Sequence, residues 1–449
     1  MISMNNIKNK NITVLGAGIS GIGASNLASY KNANILLSNN KKFNTNSLLN
    51  NKIKKEYSHS DECMNSDLVV ISPGIKSKDN STVKEIESKN ISIISEIEFA
   101  SLFTKSPIIA VTGSNGKSTV VKLLYHIFKN KYKNVFLGGN IGISFSMNVY
   151  KELKNNLKNS IHIIEASSYQ LERINSLKPY ISCILNVTDD HLDRHGNFDN
   201  YLNQKIKLIK NHNKESFIVY NQDDKNLKRI LENKINSYPY SLKNKNTFYV
   251  EKKSIYCSRT NKEIINQEKT QLVGKHNLSN ILACIEICRL FNINIEHIIN
   301  SLLDFKPLSH RMEIVYKKDN FLIINDSKGT NLDSTKSAIR SFDNKIILLL
   351  GGFSNQELNK EKIIKTTKSE NIYKIICFGE IGKNIHKILN EYKSTTYIKN
   401  FEKAILKSIE YSLNKKSILF SPGFKSFDEF KNFEERGNMF KEIVHNYYA

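Results

Sequence analysis

The stretch Val111-Thr-Gly113-Ser114-Asn115-Gly116-Lys117-Ser118-Thr119 follows the apolar run Pro107–Ala110 and precedes a helical pattern, VVKLLYHIFKN. A lysine and two hydroxyls at a helix N-terminus suit phosphate. Backbone N–H groups and the helix dipole favour anions there, the lysine reaches terminal phosphates, and the Ser118 hydroxyl can ligate magnesium. The usual phosphate loop holds four residues between its glycines, whereas only Ser114 and Asn115 separate Gly113 from Gly116.

Downstream lie Gly139-Asn140-Ile-Gly142, Glu165-Ala-Ser-Ser-Tyr-Gln170 and Asn186-Val-Thr-Asp-Asp-His191-Leu-Asp-Arg-His195-Gly196. Each follows an apolar run that reads as a strand. Each therefore falls at a strand C-terminal end, the edge of a parallel sheet where ligands bind. Glu165 and His191 become candidate magnesium ligands beside the phosphates. Nearer the N-terminus, Gly16-Ala-Gly18-Ile-Ser20-Gly21-Ile-Gly23 stands between a strand and a helix. Glycines there let backbone donors and a helix N-terminus approach a pyrophosphate. A nicotinamide dinucleotide also needs an acid at the end of the second strand, and that strand ends Leu37-Ser38-Asn39-Asn40. A pyrophosphate ligand other than NAD is the better expectation, and the turn Ser72-Pro73-Gly74 would face the same crevice.

Short β-branched runs alternate with longer helical patterns, the mark of parallel α/β domains. NITVLGAG, NILLS and DLVVISPG form a first unit; PIIAVTG, HIIEASS and SCILNVT a second; YKKDNFLIINDS, KIILLLGG, YKIICFG and SILFSPG a third. The expected fold is α/β in three domains: Rossmann-like at 1–101, a phosphate-loop parallel sheet at 102–307, and a second Rossmann-like domain at 308–449. With 449 residues, several cores are needed. Hydrophobic residues at 40% and charged ones at 24% fit a globular enzyme. No apolar run approaches the roughly 18 residues of a membrane helix, and the short, glycine-broken N-terminal run reads as a strand rather than a signal peptide. The 6 cysteines form no CxxC pair. Cys284 and Cys288, spaced i, i+4, read as small core residues in a reducing cytoplasm. The net charge of +23 raises nucleic acid as a partner, but the lysines are dispersed among asparagines and build no basic block. No nucleic-acid partner is expected.

GSNGKST, GNIG, EASSYQLE, LNVTDDHLDRHG, GKHNLSNILAC, HRME and NDSKGTN occur in that order. Together they resemble the Mur ligase family, ATP-dependent amide-forming enzymes of peptidoglycan synthesis, whose phosphate loop has this shortened form. NDSKGTNLDST (325–335) and SPGFKSFDEFKNFEERGNMF (421–440) are most similar to the members that join D-glutamate to UDP-N-acetylmuramoyl-L-alanine. The resemblance implies a UDP-binding first domain, an ATP-binding second and an amino-acid-binding third. It implies that Ser20 and Gly74 hold the uridine diphosphate and that Gly113 to Thr119 cradle ATP. Ser118 and Glu165 would ligate one magnesium and His191 a second, with Lys205 as a carbamylated lysine offering an anionic oxygen. Asn277, Arg311 and Asp326 would complete the ATP site. Asn140 would touch the muramoyl-alanine end, and Lys328, Thr330, Ser426 and Phe433 would surround the D-glutamate and the reacting carboxylate. Lys117, His191, Lys205 and Lys328 would carry the catalysis, in a cytoplasmic monomer.

Two departures from the family pattern stand out. An Asp near the end of the second strand is absent. The glycine turn Gly351-Gly352 is followed by Phe353-Ser-Asn355-Gln356 where a lysine for the D-glutamate carboxylate is common, and the next lysine is Lys360. Another amide ligase of the superfamily, the L-alanine-adding or folylpolyglutamate type, is the alternative, and FDEFKNFEERGNMF argues against both. A catalytically silent nucleotide- or nucleic-acid-binding protein is opposed by the intact Lys117, Ser118, Glu165 and His191.

Overall fold

The computed structural model of the chain describes residues 6–75, 80–188, 192–307, 309–342, 344–355, 357–413 and 416–449. It forms two compact units, Met1–Asn266 with Ser279–Leu303, and Gln267–Leu278 with Asp304–Ala449.

The first unit holds three sheets. β1 (Asn11–Leu15), β2 (Asn34–Ser38), β3 (Lys54–Glu56), β4 (Leu68–Ile71) and β5 (Ile93–Ser95) make a five-stranded sheet in the order β3-β2-β1-β4-β5, with every neighbouring pair parallel. β6 (Ile108–Thr112), β7 (Val135–Gly139), β8 (Ile161–Glu165), β9 (Ile181–Ile184), β10 (Phe217–Asn221) and β11 (Ser237–Tyr240) make a second parallel sheet, β11-β10-β9-β6-β8-β7. β4, β6, β8 and β9 are buried along their whole length, as strands covered on both faces must be, so they read as unbroken apolar runs. One apolar cluster joins Val14, Leu37, Ile97 and Phe99 to Phe145, Val149 and Ile164, so the two sheets share a core. A small antiparallel sheet, β12 (Phe248–Glu251), β13 (Ser254–Cys257) and β14 (Glu263–Asn266), follows. The sequence reading did not anticipate it, because its strands are four residues each and half polar.

In the second unit, β15 (Glu313–Lys318), β16 (Phe321–Asn325), β17 (Ile346–Gly351), β18 (Ile372–Phe378), β19 (Thr395–Ile398) and β20 (Ser417–Gly423) run β15-β16-β20-β17-β18-β19. YKKDNFLIINDS, expected as one strand, folds back at Asp319, whose φ of 50° turns the chain. β15 and β16 pair antiparallel, and the other pairs are parallel. Leu348 and Leu350 of β17 face one apolar cluster and Ile347 and Leu349 the other, the two-residue period of a strand buried on both sides. Cys284 and Cys288 are buried and unbridged, as expected of core residues.

Candidate active site

In the first sheet the glycine loop enters the helix Ile19–Tyr30, with Gly18 as its N-cap. A Cβ on Gly21 would lie 1.7 Å from the Gly16 carbonyl oxygen, so only glycine lets helix and loop approach this closely. The Ser72 hydroxyl donates to Gly16 O at 3.0 Å, which ties the Ser72-Pro73-Gly74 turn to the glycine loop. Ser20 is half-buried in the first turn of the helix and Gly74 is exposed. Space is open above Gly18 and Gly74, where an added Cβ meets nothing within 4 Å.

In the second sheet β6 ends at Thr112 and the loop Gly113–Gly116 leads into the helix Lys117–Lys129. Gly116 caps that helix with φ +86°, and a Cβ there would meet Asn280 Oδ1 at 2.5 Å. The short loop is held from below. Ser114 N–H donates to Asn186 O at 2.9 Å, Asn115 N–H donates to Asn186 Oδ1 at 2.8 Å, and Asn186 Nδ2 returns to Asn115 O at 3.0 Å. The Ser114 hydroxyl donates to Thr188 O at 3.2 Å and accepts from Thr188 N–H at 3.0 Å. These bonds fix the loop without the two extra residues of the commoner form.

Two ammonium groups meet on one carbonyl. Lys117 Nζ donates to Gly113 O at 2.6 Å and to Ser114 O at 2.9 Å. Lys205 Nζ donates to the same Gly113 O at 2.9 Å and sits 4.4 Å from the Tyr201 ring centre. Lys205 is 1% exposed, so it is no solvated surface lysine of its lysine-rich helix. Ser118 and Thr119 lie half-buried in the first turn of the loop helix. Glu165, at the end of β8, is buried. Its Oε1 accepts from Asn140 Nδ2 at 2.9 Å, and among the described residues its Oε2 has no donor. A buried carboxylate oxygen without a donor is costly, and a bound cation would relieve it. His191 lies outside the described residues.

Arg194 was not singled out from sequence. Its guanidinium holds Glu172 through two bonds of 3.0 Å, lies 4.0 Å from the Tyr169 ring centre, and donates to Pro73 O at 2.9 Å and Ile75 O at 3.3 Å. It thus pins the turn after β4 to the second sheet. Beside it is a small cavity lined by Ile71, Pro73, Tyr169 and Gln170. Arg194 stands three residues after His191 in the quoted motif, and that proximity was the available signal.

In the second unit Asp326 follows β16. Ser421 Oγ donates to its Oδ2 at 2.7 Å and Met312 N–H to its Oδ1 at 3.3 Å. Burial pushes its carboxyl up to about 6, against those bonds and the charge of Arg311. Arg311 also acts on half-buried His276, whose desolvation, aided by that charge, holds it down at about 4. Asn277 is buried and its Nδ2 donates to Val273 O at 2.8 Å. Lys328 is exposed, with Nζ 5.7 Å from the Phe433 ring centre. The backbone N–H of half-buried Thr330 donates to Lys328 O at 2.8 Å. Ser426 is buried in the loop after β20.

That loop is fastened by Arg436, a second residue missed in the sequence. Wholly buried, it donates to Ser327 Oγ (3.1 Å), Ser327 O (2.9 Å), Phe424 O (3.2 Å) and Lys425 O (3.1 Å). Its place in Phe-Glu-Glu-Arg-Gly-Asn on the helix Phe433–Tyr448 gave only an ordinary surface-helix pattern. The Asp326–Thr330 loop, the loop Phe424–Ser426 after β20 and the start of that helix are therefore tied together. Phe353 N–H donates to Lys425 O at 2.8 Å, so the glycine turn after β17 joins them. Gln356 lies outside the described residues.

Parallel sheets with a glycine-lysine loop at the carboxyl edge of one of them define a phosphate-loop α/β protein. The family model for the Mur ligase middle domain matches residues 111–288, and that for the Mur ligase glutamate ligase domain matches residues 310–424. The UDP-N-acetylmuramoylalanine--D-glutamate ligase of Thermoanaerobacter pseudethanolicus is 34% identical over 462 residues, 98% of each chain. That of Bacteroides fragilis is 35% identical over 459 residues, 97% of this chain and 99% of its own. Among solved structures, MurF ligase from Thermotoga maritima in complex with ADP shares the fold with a TM-score of 0.57 at 17% identity, over 100% of this chain and 98% of its own. UDP-N-acetylmuramate-alanine ligase from the same organism gives 0.57 at 18% identity, over 98% and 100%. The chain belongs to the Mur ligase family, with the UDP-N-acetylmuramoylalanine--D-glutamate ligases. Among the described residues no helix is long and apolar enough to cross a membrane.

Proposed function

We propose that this protein is an ATP-dependent ligase that joins D-glutamate to UDP-N-acetylmuramoyl-L-alanine in peptidoglycan precursor synthesis. One observation carries the reading: Lys117 and buried Lys205 converge on Gly113 O in a chain similar throughout its length to ligases of that name. A carboxylate is a poor acyl donor because its leaving group would be oxide. Transfer of the ATP γ-phosphoryl group to it gives an acyl phosphate, which the amine of D-glutamate attacks, expelling phosphate. Both steps bring anions together, so positioning and cation clamps dominate.

The roles follow residue by residue. Gly113, Ser114, Asn115, Gly116 and Thr119 cradle the nucleotide phosphates through the loop and helix N-terminus. Lys117 places positive charge on them. Ser118, Glu165, His191 and a carbamylated Lys205 would hold magnesium at two positions; the orphaned Glu165 Oε2 fits that donor set, and bound magnesium would neutralise phosphate charge. Asn277, Arg311 and Asp326 take part in ATP binding. Ser20, Gly74 and Asn140 bind the UDP-sugar substrate. Lys328, Thr330, Ser426 and Phe433 serve D-glutamate and the reacting carboxylate. The chain works as three functional domains, 1–101, 102–307 and 308–449, in a cytoplasmic monomer. Phosphate release from ATP tests this: it should require UDP-N-acetylmuramoyl-L-alanine and D-glutamate together. Turnover with L-alanine or a folate in place of these substrates would overturn it.

A further inference from the structure

Behind the glycine loop, the edge of the first sheet carries a chemically mixed cluster to which the ligase reading gives no role. Glu56 ends β3, His59 lies in the following turn, and Cys63 sits in a single 3-10 turn, Asp61–Asn65. Their carboxylate oxygen, imidazole nitrogen and sulfur atoms all lie within 4.8 Å of one another. Cys63 Sγ is 3.1 Å from Glu56 Oε1, and His59 Nδ1 is 2.5 Å from Ser38 Oγ at the end of β2. His59 holds φ +48°, a left-handed conformation that folds the segment back on itself.

We propose that Glu56, His59 and Cys63 bind one thiophilic divalent cation of the zinc type, with the Ser38 hydroxyl or water in the fourth position. Three arguments support it. The spacing Glu-x2-His-x3-Cys delivers three donors from eight residues, the short-range chelate spacing of zinc sites. The donor set, one sulfur, one nitrogen and one oxygen, selects zinc or cobalt over magnesium or calcium, which demand oxygen. Ligands about 2.0 to 2.3 Å from a tetrahedral zinc lie roughly 3.3 to 3.8 Å apart, so a cluster whose donors all lie within 4.8 Å has to close by at most about 1.5 Å. The Glu56 carboxylate accepts from the Ser60 N–H at 3.2 Å, from the Ser60 hydroxyl and from the Cys63 thiol, so an ion would take the place of the thiol proton.

Binding exchanges a proton for the ion: the Cys63 S–H bond breaks, a sulfur–metal bond forms, and the proton leaves to solvent. Glu56 and His59 are only half-buried, which gives the ion a way in. Asn39, next to Ser38, accepts from Ala17 N–H of the glycine loop at 3.3 Å. An ion at this edge would therefore brace the loop that faces the open space above Gly18.

Cobalt(II) titration of the full-length protein tests the site independently of ligase activity. The expected result is one equivalent bound with a sulfur-to-cobalt charge-transfer band in the near ultraviolet, one proton released, and displacement of the band by zinc. The band should vanish in Cys63→Ser and weaken in His59→Gln and Glu56→Gln, with circular dichroism showing each variant folded. Cobalt held only at the magnesium positions would give no sulfur band. Absence of the band in the wild type, or its persistence in Cys63→Ser, overturns the proposal.

Discussion

Replacing Arg436 with methionine keeps the volume and removes the charge with all four donations. Hydrogen bonds from a charged donor contribute about 1.5 kcal/mol each at the low end, about 6 kcal/mol together. Against them stands the cost of burying the guanidinium. Burial lowers Arg436 from 12.5 to about 10, a disadvantage to the charged form of about 3 kcal/mol at 1.36 kcal/mol per pH unit. The difference predicts a loss of about 3 kcal/mol in the second unit, because the carbonyls of Ser327 and Phe424 lose the guanidinium donor and that of Lys425 keeps only the Phe353 N–H. Arg436→Lys keeps a charge but not the fork, and should recover less than half. Urea unfolding followed by hydrogen exchange in β16 and β20 would read the loss where it occurs. The same variants should raise the KM for D-glutamate more than that for ATP, since the loosened segment carries Ser426. A loss below 1 kcal/mol with an unchanged D-glutamate KM would refute the account of the guanidinium as the fastening of these loops.

Lys117→Ala should abolish ligation, removing transition-state stabilisation of roughly several kcal/mol, while the melting temperature stays near that of the wild type; near-normal turnover would contradict the role. Lys205→Ala should be almost inactive and partly rescued by a short carboxylic acid supplied in excess, and full activity without rescue would rule out the carbamate. Glu96, fully buried and pushed up to about 7, should cost stability progressively as pH rises. Both states are protonated below about 4.5, and only the unfolded state ionises between there and 7. Above pH 7 the penalty reaches about 3 kcal/mol, so Glu96→Gln should raise the melting temperature at pH 8 and leave it nearly unchanged at pH 4. Phe353→Lys or Asn355→Lys should lower the KM for D-glutamate and leave that for ATP unchanged. If neither does and Lys425→Ala abolishes D-glutamate use, Lys425 supplies the cation instead.

Legibility of the fold followed burial. β4, β6, β8, β17 and β20 were plain in the sequence because strands packed on both faces spell continuous apolar runs. The hairpin of β15 and β16 hid inside one run, since β15, read Glu-Ile-Val-Tyr-Lys-Lys, has no unbroken apolar stretch of its own and the turn at Asp319 contains neither glycine nor proline. Short edge strands such as β3, read Lys-Lys-Glu, carry no periodicity at all. Their place is set by register with a neighbour, Ser38 opposite Glu56.

The candidate site was legible where chemistry needs a residue type at a fixed offset from a strand end, as at Gly113–Thr119, Glu165 and Asp326. It was illegible where the need is for a long side chain to reach a distant carbonyl. Arg194 lies 121 residues from Pro73, and Arg436 lies 109 from Ser327. Apart from the place of Arg194 three residues after His191, nothing in local spacing distinguishes such an arginine from one on a solvated helix face. What distinguishes it is the backbone it serves. Pro73 and Ile75 stand in a turn and Phe424 in the run after β20, outside the strands, while Lys425 O shares the guanidinium with the Phe353 N–H. Half-buried carbonyls of that kind still need donors, and a five-donor guanidinium satisfies several at once. Loops that stand at strand ends to meet a ligand give up regular backbone pairing there. A buried arginine tying such a loop down is the structural counterpart of the glycine that let it turn.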